Sequence, residues 1–157
     1  MKRLIIAISL FIPLLLLGWA HKSLESGIRP GEPLPDAQLQ SLEGAPVDTS
    51  WWHGKPTLLV LFQPACRACR EEIRNLEWIA ERLPEVRIIL LSLNGAPPIE
   101  KVRFMVCRDP ENAFSRRVRR AIVPTLYWID PSGRVKYVRS GLRPRASDLS
   151  LFRSLIE

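Results

Sequence analysis

Cys66 and Cys69 are the residues best suited to chemistry in this chain, set three positions apart in the run Gln63-Pro64-Ala65-Cys66-Arg67-Ala68-Cys69-Arg70. The apolar run Thr57 to Phe62 just before them reads as a buried strand, and helical periodicity begins after them. The pair therefore falls where a strand hands over to a helix N-terminus. The unpaired N–H groups and partial positive charge of a helix start stabilise an anion, and can bring a thiol pKa from about 8.5 down to roughly 3.5 to 7.5. Cys69, Ile73, Leu76, Ala80 and Leu83 recur at gaps of four and three, a stripe that turns Cys69 toward the core. Cys66, at the mouth of the helix, is then the expected attacking thiolate. Cys69 is the expected resolving thiol, which closes a disulfide by displacing a partner from a mixed disulfide.

The same spacing also serves half a zinc site or a structural disulfide. A tetrahedral zinc site needs four ligands, and with no second CxxC the other strong candidates are only Cys107, His21 and His53. No His follows Cys69, so the haem-attachment form of the motif is absent. One cysteine pair plus a leftover suits a catalytic couple better than a disulfide framework. Cys107, at the end of a strand candidate, reads as a small buried hydrophobe, with a regulatory or third redox thiol as the alternative. No resident metal or cofactor beyond the cysteines is expected.

The N-terminus bears on compartment. Met1-Lys2-Arg3 is a short basic start, and Leu4 to Ala20 carries no charge. Its length, about 17 residues, lies between a signal-peptide core and a full span of about 20. Residues 1–20 are therefore expected to be a signal-anchor or signal peptide, with Gly18-Trp19-Ala20 as a small-x-small cleavage site and Trp19 suited to a membrane interface. Everything after Ala20 is then expected outside the cytoplasmic membrane, either tethered to it or released into the periplasm. Residues 21–30 read as a linker, within a Pro/Gly-rich approach from Ser23 to Pro35, and 31–157 as one domain with a real core. The net charge of +7 comes mostly from arginine, including Arg116, Arg117, Arg119 and Arg120, which reads as a solvated or lipid-facing helix face. An acidic docking partner is the sharper alternative; nucleic acid is not expected, since no binding motif accompanies the charge.

The elements that must position the cysteines follow from periodicity and punctuation. Asp36 to Leu42 and Val47 to Ser50 read as short strands joined at Glu43-Gly44, and Gly54-Lys55-Pro56 leads into the central strand. The helix after the cysteines ends near Leu83-Pro84, and Val86 to Leu93 is a second buried strand. Strand, helix, strand at this length implies a parallel crossover. Asn94 to Pro98 breaks the chain, Val102 to Cys107 is a strand candidate, and Asp109-Pro110-Glu111 reads as an N-cap opening a helix to about Arg120. Val123 to Ile129 and Arg134 to Ser140 form a hairpin about Asp130-Pro131-Ser132-Gly133, and a last helix covers about Ala146 to Ile156.

That order, with Pro-Gly-Glu-Pro-Leu-Pro-Asp at 30–36, Gly54-Lys55-Pro56, the cysteine pair, Pro124-Thr125 and Ile129-Asp130-Pro131-Ser132-Gly133, resembles the thioredoxin superfamily. More narrowly it resembles the membrane-anchored, periplasmic TlpA/ResA-type thiol-disulfide oxidoreductases, some of which serve cytochrome c maturation. The resemblance implies an α/β, thioredoxin-like fold: a central mixed β-sheet flanked by helices, with an N-terminal β-hairpin extension. It implies that Pro124 is a cis-proline whose loop, with Val123, offers backbone groups to a substrate, and that Glu72 handles the Cys69 proton. A solvated surface glutamate is the plainer reading of Glu72. Departures from the family pattern are Ala65 where a tryptophan usually stands, Gln63-Pro64 for small residues, Arg67-Ala68 without proline, and Val60 where thioredoxin itself has a buried acid. Arg67 adds positive charge beside Cys66, and is a candidate substrate contact.

Two functions from different classes fit. The first is an enzyme of the cell redox-homeostasis kind, expected to be a monomer, exchanging disulfides with protein thiol or disulfide partners. Resemblance points to a reductant recharged by a membrane electron donor, whereas Arg67 pulls toward an oxidant. The second is a copper(I)-binding metal chaperone on the same fold, holding a soft ion with Cys66, Cys69 and Cys107 or His53.

Overall fold

The computed structural model describes residues 27–35, 37–93, 102–118 and 122–156. The expected anchor at 1–20, most of the linker, the break at Asn94–Pro98, and Arg119 and Arg120 lie outside the described residues. Among the described residues, no helix is long and apolar enough to cross a membrane.

The cysteine motif is carried by the most buried part of the sheet. β3 (Thr57–Phe62) is buried at all six positions, which is why its sequence is apolar without alternation. It pairs in parallel with β4 (Arg87–Ser92), from Thr57↔Arg87 to Phe62↔Ser92, and antiparallel with β6 (Thr125–Ile129). α1 (Arg67–Ala80) makes the crossover from β3 to β4. β4 pairs in parallel with β5 (Met105–Arg108), and β6 turns back antiparallel into β7 (Val135–Ser140). The hairpin of β1 (Leu39–Gln40) and β2 (Pro46–Val47) extends the sheet beyond β5, giving the order β2-β1-β5-β4-β3-β6-β7. This is the expected mixed α/β sheet with its N-terminal hairpin.

Alternation along β3 divides the core in two. Leu58, Val60 and Phe62 face α1 and α3 (Arg145–Ser154), where they meet Cys69, Ile73, Leu76, Ile79 and Phe152. Leu59 and Leu61 face the opposite side, with Trp52, Cys107, Tyr127 and the residues Phe114 and Val118 of α2 (Ala113–Val118). Trp128 stacks on Phe152 at 5.1 Å between ring centroids, fastening α3 to the sheet.

Several boundaries move, each for a local reason. The predicted strand at 47–50 stops at Val47, because the Asp48 carboxylate accepts the Ser50 amide (2.9 Å) and starts a 3-10 turn, Thr49–Trp52. Asp109 does not start α2 directly. Asn112 takes a left-handed φ of 53°, and the helix begins at Ala113, with the Asp109 carboxylate reaching forward to the amides of Phe114 (3.2 Å) and Ser115 (2.9 Å). In the α1 stripe the fourth buried residue is Ile79 rather than Ala80; both positions point inward, and the larger side chain fills the space. β6 starts at Thr125, two residues later than predicted, because Pro124 has no N–H for the ladder.

Candidate active site

Cys66 is the N-cap of α1. Its backbone is extended and its sulfur accepts the Cys69 amide at 3.1 Å, taking a place usually held by a serine or aspartate oxygen. One of the free amides of the first turn, that of Cys69, therefore points at this sulfur, which sits at the positive end of the helix. Cys66 is half-buried and Cys69 is fully buried against Ile73 and Leu76, as the helical spacing predicts. The two are joined in a disulfide with 5.2 Å between their Cα atoms. Only the first sulfur can therefore be reached by a partner.

The second half of the site comes from the start of β6. Leu61 pairs with Thr125, which sets the segment before Thr125 beside the segment leaving Phe62. The Val123–Pro124 bond is cis, as the resemblance implies, and the Val123 carbonyl oxygen stands 3.9 Å from the Cys66 sulfur. The loop is pinned on its far side. Thr125 Oγ1 donates to the Ile122 carbonyl (2.7 Å) and lies 2.8 Å from Ser140 Oγ, while the Gly141 amide donates to the Pro124 carbonyl (2.8 Å). With the Pro124 carbonyl occupied, the Val123 backbone is what the loop presents toward the sulfur. Arg67, the first helical residue, is exposed.

Glu72 is not a surface group. It is fully buried on α1, one turn beyond Cys69, and its Oε1 accepts from Arg139 Nη2 of β7 at 2.6 Å. The same nitrogen also donates to Asp148 Oδ2 of α3, and Arg139 Nη1 donates to the Gly141 carbonyl. Burial pushes the Glu72 carboxyl up to about 7; the Arg139 charge opposes this, and Asp148 adds to it. Arg139 and Asp148 escaped the sequence reading. The available signal was the parity of Arg139 with Tyr137, whose side chain faces the α1 side of the sheet.

Cys107 and His53 do not join this site. Cys107 is buried on the opposite face of the sheet, where burial alone raises its thiol to about 11. This suits the small buried hydrophobe expected of it. His53 is exposed and follows the 3-10 turn ahead of β3, whereas Cys66 follows the other end of that strand. Six residues of strand, about 20 Å, separate those ends. Among the described residues no three His, Cys, Asp or Glu side chains are grouped to hold a metal ion. The further ligands named for copper are thus not assembled around the pair. Arg116 and Arg117 are exposed on α2, as a solvated face requires.

A thioredoxin-like sheet with a CxxC disulfide at the first strand-to-helix junction and a cis-proline loop against it defines a class, the thioredoxin-like thiol-disulfide oxidoreductases. Residues 30–138 match the model of the AhpC/TSA family, and the chain belongs to that family. Solved structures repeat the fold at low sequence identity. The thioredoxin domain of a thiol-disulfide oxidoreductase from Bacteroides vulgatus is 18% identical (TM-score 0.68; 83% of this chain, 99% of that one). A secreted disulfide oxidoreductase from Mycobacterium tuberculosis is 17% identical (TM-score 0.62; 73% of this chain, 92% of that one). StoA from Bacillus subtilis is 14% identical (TM-score 0.59; 76% and 99%). No curated protein sequence matches the chain.

Proposed function

We propose that the protein exchanges disulfides with protein partners on the outer side of the cytoplasmic membrane, in cytochrome c maturation or envelope redox homeostasis. Residues 1–20 would serve as the anchor or signal, and a membrane donor would restore the dithiol. The observation that supports the exchange chemistry most directly is the Cys66 sulfur, capping α1 and facing the Val123 carbonyl ahead of cis-Pro124. In the reducing direction the Cys66 thiolate attacks one sulfur of a substrate disulfide, and the other sulfur leaves as a thiolate. Cys69 then loses its proton and attacks Cys66, the mixed disulfide breaks, and the second substrate thiolate leaves. Two electrons have passed to the substrate, and the protein holds the Cys66–Cys69 disulfide. The Val123 backbone and the exposed Arg67 flank the incoming chain.

The full-length Cys69→Ser variant tests this. It should accumulate mixed disulfides through Cys66 with envelope proteins, identified by mass spectrometry after acid quenching. In the reduced wild type, sub-stoichiometric iodoacetamide should label Cys66 before Cys69. Adducts held by Cys69 in a Cys66→Ser variant, with none in Cys69→Ser, would reverse the assignment of roles.

A further inference from the structure

The interior beside the cysteines holds three ionisable groups on three different elements. Side-chain exposure is 0% for Glu72, 3% for Arg139 and 1% for Asp148. One guanidinium serves two carboxylates through a single nitrogen, so full ionisation would leave a net negative charge buried in the core. Glu72 Oε2, Arg139 Nε and Asp148 Oδ1 have no hydrogen-bond partner among the described residues. A single proton on the pair of carboxyls removes the excess charge. Glu72 lies three residues beyond Cys69 on the same helix, which places the two side chains as neighbours.

We propose that Arg139 and Asp148 are positioning residues of the exchange reaction, holding Glu72 by Oε1 so that its unpartnered Oε2 passes a proton to and from Cys69. The inference rests on the reading of Cys66 and Cys69 as attacking and resolving thiols. When the mixed disulfide resolves, the Cys69 S–H proton moves to Glu72 Oε2, the Cys69 sulfur bonds to Cys66, and the substrate thiolate departs. When the disulfide is reopened by an incoming thiolate at Cys66, Cys69 leaves and takes the proton back. The groups facing Glu72 are Cys69 and Glu71 on its own helix, Arg139 on β7 and Asp148 on α3. Asp148 favours the protonated form of Glu72 and Arg139 the ionised form, so the two set opposite limits on when Glu72 can accept.

The test uses the reduced full-length protein and 5,5′-dithiobis(2-nitrobenzoate) in stopped flow. Attack by Cys66 releases the first thiolate, and resolution by Cys69 releases the second. In the wild type the second phase should rise with pH about a midpoint near 7, the value burial gives Glu72. Burial is the main reason Glu72 keeps its proton and the Asp148 charge adds to it, so Asp148→Asn should move that midpoint down by about half a pH unit. Glu72→Gln should abolish the limb. A second-phase profile in Asp148→Asn that overlays the wild type, or moves upward, overturns the proposal. Loss of the first phase in the wild type would instead overturn the role of Cys66. Should Asp148→Asn not fold, a carbon-13 titration of the wild-type Glu72 carboxyl decides: a midpoint near 7 that differs between reduced and oxidised protein supports the proposal, and one in the ordinary glutamate range overturns it.

Discussion

Replacing Glu72 with glutamine should make the protein's stability respond differently to pH, with a sign and size fixed by the buried triad. Glu72 titrates at about 7 in the folded protein, against 4.5 for the unperturbed group. Its folded pKa is raised, so the native state binds the proton more tightly than the unfolded chain. The resulting stabilisation is fully present below about pH 4.5 and is lost as pH rises through 7. Converted at the usual free energy per pKa unit, the loss between pH 5 and pH 8 is about 2 to 3 kcal/mol. Glutamine cannot ionise and leaves Arg139 with one carboxylate, Asp148, a neutral pair. Urea unfolding of the oxidised proteins at several pH values between 5 and 8 gives the difference directly. Wild-type stability should fall relative to Glu72→Gln by about 2 to 3 kcal/mol across that range. A difference that stays flat, or that widens in favour of the wild type at high pH, would refute a proton-holding Glu72.

Three further outcomes follow from single contacts. Asp109→Ala removes the acceptor for Phe114 N, Ser115 N and Ser115 Oγ at the start of α2, and should cost about 2 kcal/mol in urea unfolding. Gly133→Ala should be destabilising twice over, since φ is +84° and a Cβ would lie 2.3 Å from His53 Cε1; adding His53→Ala should recover the steric part and leave about 1 to 2 kcal/mol of backbone cost. Arg67→Ala removes a positive charge next to Cys66 and should lower the reduction potential by no more than about 30 mV in glutathione equilibration, because the side chain is exposed and screened; an unchanged or higher value would assign the thiolate to the helix start alone.

The parts of the fold governed by strong local pattern were legible. β3 and β4 are apolar without alternation, and the strand-to-helix handover at Cys66 follows from where one period gives way to the other. The N-terminal hairpin was legible as an element but not in extent. Its first strand was expected over Asp36 to Leu42, while β1 spans only Leu39–Gln40 and meets β5 at a single position, Gln40 opposite Arg108. Glu72 illustrates a deeper limit. Arg70 and Glu71, just before it, are exposed, so the local charge run looks like a solvated face. What buries it is a guanidinium 67 residues away on β7, held in turn by a carboxylate from α3. Such a triad has no signature at short range, because each member meets the others only after the sheet has formed.

The placement of Cys107 has a consequence for how the chain matures. Three thiols permit three different pairings in an unfolded chain, and two of them would consume Cys66 or Cys69 in a dead-end bond. Once Leu91 and Cys107 pair across β4 and β5, the sheet itself stands between Cys107 and the other two. Native topology then acts as a sorting step. A chain that oxidises before it folds can be caught in the wrong bond, and has to be reduced again to escape, whereas one that folds first has a single sulfur partner within reach. The order of folding and oxidation thereby decides the yield of working molecules.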